Sequence, residues 1–105
     1  MAGQVISPEA RRIVREACPL DRARFARLLT EQQVDPRAFD LQGSNAGEQF
    51  VMDHSSLRGW SVHYAERGLR RDEEWFDTES DALAELARRI LSDLSTRVRN
   101  ASREK

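Results

Sequence analysis

The side chains here that could carry chemistry near neutral pH are few: His54 and His63, Cys18, and the serine pair Ser55 and Ser56. Asp53-His54-Ser55 sets three triad residue types side by side. Neighbours on a strand point to opposite faces, so that adjacency argues against a convergent nucleophile, base and acid. His54 and His63 could face each other across a hairpin with Asp53 nearby, yet two imidazoles without a third ligand do not make a zinc set. The sequence holds no glycine-rich phosphate loop, no CxxC pair and no HExxH. The expectation is a chain with no catalytic residues, no metal site and no cofactor.

Charge is the stronger signal. The net charge of −1 conceals zones: residues 1–30 carry six Arg against three acids, and residues 88–105 carry six bases against two acids. Between them, Asp72, Glu73, Glu74, Asp77, Glu79, Asp81 and Glu85 form a run of seven acids with no base among them. Zoned charge can steer a partner to one patch without making a general nucleic-acid binder. The basic N-terminal helices could still meet phosphate, or an acidic partner through Arg12, Arg15 and Arg24. Glu9, Glu16 and Asp21 interrupt them as on an ordinary solvated helix, so nucleic acid is disfavoured.

With 39% hydrophobic and 33% charged residues in 105, the chain can build one modest core and not two. A single cysteine excludes an internal disulfide and suits a reducing compartment. The first residues lack the basic and apolar regions of a signal peptide, and no apolar run is long enough to span a bilayer. The expectation is a cytoplasmic protein without membrane contact.

The elements that must position these side chains are legible locally. Ser7-Pro8-Glu9 starts a helix with a cap, a proline at its first position and an acid at its positive end. Ile13, Val14 and Ala17 give that helix an apolar stripe, and Pro19 stops it. Asp21 caps a second helix that runs to about residue 32, with Leu20 and Phe25 at the spacing of a hydrophobic staple and Leu28 and Leu29 following. Strands are expected over residues 38–42, 48–54, 60–67 and 73–77, with residues 68–72 as the last hairpin link. Thr78-Glu79-Ser80-Asp81 opens a long helix with its stripe at Leu83, Leu86, Ala87, Ile90, Leu91 and Leu94, and with Arg88 and Arg89 on its outer side.

Together these give a single α+β domain over residues 1–105: helices in 7–32, a four-stranded antiparallel sheet in 38–77, a helix over 79–98 packed on one face, and a frayed tail at 99–105. Trp60, Val62, Tyr64, Phe76, Leu83, Leu86, Ile90 and Leu94 are expected in the core with Phe25 and Leu28. Glu66 and Arg67 beside Gly68 read as braces of a turn. Trp75 and Phe76 are adjacent, so one faces the helices. Phe76 is the core member, and Trp75 is left on the open face.

Trp60-x-Val62-x-Tyr64-x-Glu66-Arg67-Gly68, then Phe76-x-Thr78-Glu79-x-x-Ala82, with Phe39-x-Leu41-x-Gly43 upstream, resembles a group of small bacterial immunity proteins of polymorphic-toxin systems. The resemblance covers about residues 37–92; one departure is Leu83, where such proteins often carry cysteine. It implies a non-enzymatic partner that neutralises a cognate secreted toxin domain. The expected contact surface is the acidic seam, Glu73, Trp75, Asp77 and Glu79, with Glu74 reaching a partner only at the sheet edge. A small DNA-associated regulatory protein using the basic N-terminal helices is the alternative.

Overall fold

The computed structural model describes residues 5–44 and 47–96. Two helices lead, α1 (Pro8–Ala17) and α2 (Arg22–Glu31), and a short 3₁₀ turn over Pro36–Ala38 follows. Strands β1 (Phe39–Asp40), β2 (Gln49–Ser55), β3 (Gly59–Glu66) and β4 (Leu69–Phe76) form one sheet in the order β1-β2-β3-β4. Helix α3 (Glu79–Ser92) closes the fold and packs across one face of that sheet. The architecture is α+β, as expected.

Capping side chains set the helix starts. Ser7 accepts from the Ala10 N–H at 3.1 Å, Asp21 from the Arg24 N–H at 2.8 Å, and Thr78 from the Asp81 N–H at 3.1 Å. Leu20 and Phe25 are both buried, completing the staple around the Asp21 cap. Ser92 ties α3 to α1: its hydroxyl donates to the Arg88 carbonyl at 2.7 Å and accepts from the Ser7 N–H at 2.9 Å. The core gathers Val14, Phe25, Leu28, Met52, Val62, Leu83, Leu86 and Ile90, with Trp60, Tyr64 and Phe76 half-buried at its border.

Three expectations change. The two residues of β1 run parallel to β2, Phe39 opposite Phe50 and Asp40 opposite Val51, so the sheet is mixed. A parallel return normally needs a crossover of a dozen residues, but a two-residue strand has almost no length to retrace. Strand β4 begins at Leu69 rather than residue 73, because Arg67 (φ 54°) and Gly68 (φ 80°) make a two-residue turn between the paired Glu66 and Leu69. Helix α3 ends at Ser92, where Asp93 leaves the helical region at φ −107°, and a 3₁₀ turn over Leu94–Thr96 follows. The Thr96 hydroxyl donates to the Ile90 carbonyl at 2.9 Å, taking up one of the helix's last acceptors. The side chain of Leu94 and the tail at 97–105 lie outside the described residues.

Leu86 is fully buried between the sheet and the other helices. Leu86→Ala is expected to destabilise the fold by about 2–5 kcal/mol, read by urea denaturation; a loss under about 1 kcal/mol would mean that α3 is not seated as described.

Candidate functional site

The acidic seam is built on an irregular strand. Along β3 and β4, Tyr64 faces Arg71 and Val62 faces Glu74, so Asp72 and Glu73 together oppose the single residue His63. This is a β-bulge, and Asp72 carries the left-handed turn at φ 57°, a conformation aspartate tolerates better than most residues. Residues three apart on a regular strand point to opposite faces. The extra residue cancels that rule, so Arg70 and Glu73 share the face turned away from α3 and form an ion pair.

Arg70 also reaches across β3 to β2, where Nη2 meets Asp53 Oδ2 at 2.8 Å. Hydrogen bonding to Asp53, and then to Glu73, raises its pKa despite partial burial. Burial pushes the Asp53 carboxyl up, but the Arg70 hydrogen bond and the His54 N–H outweigh it, and the net direction is down. Gly43 (φ 81°) lies against Asp53 so closely that a Cβ there would come within 2.5 Å of Oδ1. Val51, Ser61, His63 and Ala65 point to this same outer face and are fully buried. At the hairpin end, the Arg58 guanidinium sits 4.2 Å from the Trp75 ring centroid, and the neighbouring Leu57 is 93% exposed.

The expected contact residues divide. Glu73 and Trp75 share the outer face, while Asp77 is exposed just past the strand. Glu74 faces inward and meets Arg89 at 3.1 Å, and Glu79 meets Arg22 at 2.6 Å. The seam that is unbroken acid in sequence is therefore mostly tied to arginines of the same chain, folded in from α2, β4 and α3. Arg89 is the correction here. Expected on the outer side of α3, it is 7% exposed and packs against the bulge, donating to the Asp72 carbonyl at 2.7 Å and to Glu85 at 2.9 Å. Arg58 and Arg70 carry no local sign of this role, because only the bulge and the sheet register bring them to the seam. Asp72, a residue tolerant of left-handed backbone inside a charged strand, was the one signal of it.

The chemistry-bearing residues disperse. His54 is exposed and packs at a tilt against Trp60, ring centroids 4.3 Å apart, whereas His63 is buried on the other face, so the two do not meet. Asp53, Ser61 and His63 do share a face, with Ser61 and His63 fully buried in it. Among the described residues no group of three His, Cys, Asp or Glu could hold a metal ion, and no helix is long and apolar enough to cross a membrane. A separate groove of about 340 Å³, lined by Asp35, Glu48, Phe50, Tyr64 and Asp93, shares no residue with the seam. Burial, and then the Glu48 charge, raises the Tyr64 phenol. Comparison with family models, with curated proteins and with solved structures returns no match.

Burial lowers the His63 pKa, and the Arg70 charge adds to this against the opposing pull of Glu73 and Asp53. The folded state thus binds fewer protons there than the unfolded chain does. Stability falls as pH drops below the ordinary imidazole value of 6.5, whereas the contribution of Asp53 is lost only below 3.8. Unfolding free energies at about pH 7.5 and about pH 5.5 are expected to show a loss in the wild type that His63→Gln reduces; equal losses in both proteins would exclude His63 as the cause.

Proposed function

We propose that this chain is a non-enzymatic immunity protein that binds and neutralises a cognate secreted bacterial toxin domain in the cytoplasm. The observation that supports this best is the corner formed by Trp75, Arg58, Leu57 and Asp77. Trp75 is half-buried, held in place by its strand and by the Arg58 guanidinium on its ring. Tryptophan and arginine are the residue types that most often carry binding energy at protein interfaces. Arg58 is stacked and forms no ion pair among the described residues, so its donor fork stays open to a partner. Leu57 adds exposed apolar surface, and Asp77 adds an exposed carboxylate.

Glu73, Glu74 and Glu79 take part less directly in this reading. Each already holds an arginine of its own chain, so an incoming cation must compete for it. The acids set the local potential and favour encounter with a basic toxin surface, and Trp75 supplies the anchor. The DNA-associated alternative draws on Arg11, Arg15, Arg24 and Arg27, which are exposed and form no ion pair among the described residues.

Capture on the tagged chain from its native host, with mass spectrometry, identifies the partner, and titration then measures its affinity. Trp75→Ala, confirmed folded by circular dichroism, is expected to raise Kd at least about tenfold, or about 1.4 kcal/mol. Asp77→Lys is expected chiefly to slow association. Wild-type affinity in Trp75→Ala would remove the corner from the interface. Absence of any protein partner, together with salt-sensitive duplex binding, would favour the DNA reading.

A further inference from the structure

Of the arginines that form no ion pair among the described residues, Arg11, Arg15, Arg24 and Arg27 share one end of the helical layer. Arg12 takes up Glu9 and Glu16, at 4.0 and 3.7 Å, and Arg22 takes up Glu79. Arg11 and Arg15, one turn apart on α1, line a groove of about 490 Å³ with Arg88 of α3 and with Cys18. Glu85 is the one acid in that lining, and it already holds Arg88 at 3.0 Å and Arg89 at 2.9 Å. Arg24 and Arg27 line a second groove, of about 210 Å³, beside Ala17 and Glu31. The two grooves lie on either side of the end of α1, one lined by Ala17 and the other by the next residue, Cys18.

Every cation in this corner is arginine; the only lysine of the chain is Lys105. A guanidinium presents a planar fork that matches both oxygens of a carboxylate, where an ammonium offers a point charge. We infer that this corner docks an acidic segment of a protein partner, its carboxylates seated on Arg11 and Arg15, beside the Arg88–Glu85 pair, and extending to Arg24 and Arg27. The inference rests on the reading of the chain as a partner-binding protein and adds the chemistry of a second contact surface. A nucleic-acid duplex fits less well. Its charge is continuous, about one per 1.7 Å, and binding it draws on a broad positive field. The net charge is −1, and Asp72, Asp77 and Asp81 stand exposed elsewhere on the chain. A short acidic segment needs only the local field of the grooves, which salt confines to within about 10 Å.

Cys18 is the only cysteine, is exposed, and lines the larger groove, so its rate of alkylation by iodoacetamide reports whether that groove is occupied. The probe is a synthetic glutamate-rich peptide added to the full chain, with fluorescence anisotropy measuring its affinity. Bound peptide is expected to slow alkylation in proportion to occupancy. Arg15→Glu is expected to weaken peptide binding roughly tenfold or more, while Arg67→Glu, the same charge change in the β3–β4 turn, leaves it near wild type. Equal losses in the two variants would reduce the effect to net charge and overturn the inference. It also fails if alkylation is unchanged with peptide bound, or if duplex DNA protects Cys18 and the peptide does not. A chain whose partner capture depends on Trp75 but which shows no protection of Cys18 would lose this surface alone and keep the immunity reading.

Discussion

One buried guanidinium joins the two halves of the molecule. Arg89 lies on the face of α3 that meets the sheet, pairs with Glu85 on its own helix, reaches Glu74 on β4, and donates to the backbone carbonyl of Asp72 inside the bulge. A bulge leaves a backbone group out of the ladder, and such a group needs a partner when it turns inward. Arg89 supplies that partner from another element. The bulge in turn decides which side chains of β4 face outward, and so which charges can meet across the sheet.

The surface follows from this. With the extra residue in place, Arg70 and Glu73 point the same way, and Arg70 bridges β4 to Asp53 on β2 above buried Ser61 and His63. The edge strand is bent and charged, two devices that discourage indiscriminate strand pairing. The acid that dominates the sequence is largely paired within the chain. Among the described residues, the charged groups left without an ion pair include Arg58 and Asp77 beside Trp75 on the sheet side, and Arg11, Arg15, Arg24 and Arg27 on the helical side.

Local signals in the sequence carried most of the fold. The caps Ser7, Asp21 and Thr78, the staple between Leu20 and Phe25, and the stripe through Leu83, Leu86 and Ile90 each depend on residues within a turn or two of one another. The alternation Trp60, Val62, Tyr64 set the inner face of β3, and the adjacency of Trp75 and Phe76 set that of β4. The direction of β1 was not legible, because a two-residue strand has no periodicity of its own. Neither was the inward turn of Arg89, whose charge reads as solvent-facing until the bulge opposite it is known. The acidic run misled for the same reason: Arg22, Arg70 and Arg89 neutralise much of it only after the chain has folded.

Arg89 holds the bulge and thereby the outward order of β4. Backbone amide exchange in Arg89→Leu, a change that keeps the helix stripe apolar, separates the contribution of Arg89 from that of strand pairing. The variant is expected to lose protection by roughly tenfold or more over residues 70–75, with β2 amides as slow as in the wild type. Unchanged protection across β4 would contradict it, and would mean that the bulge stands on strand pairing alone.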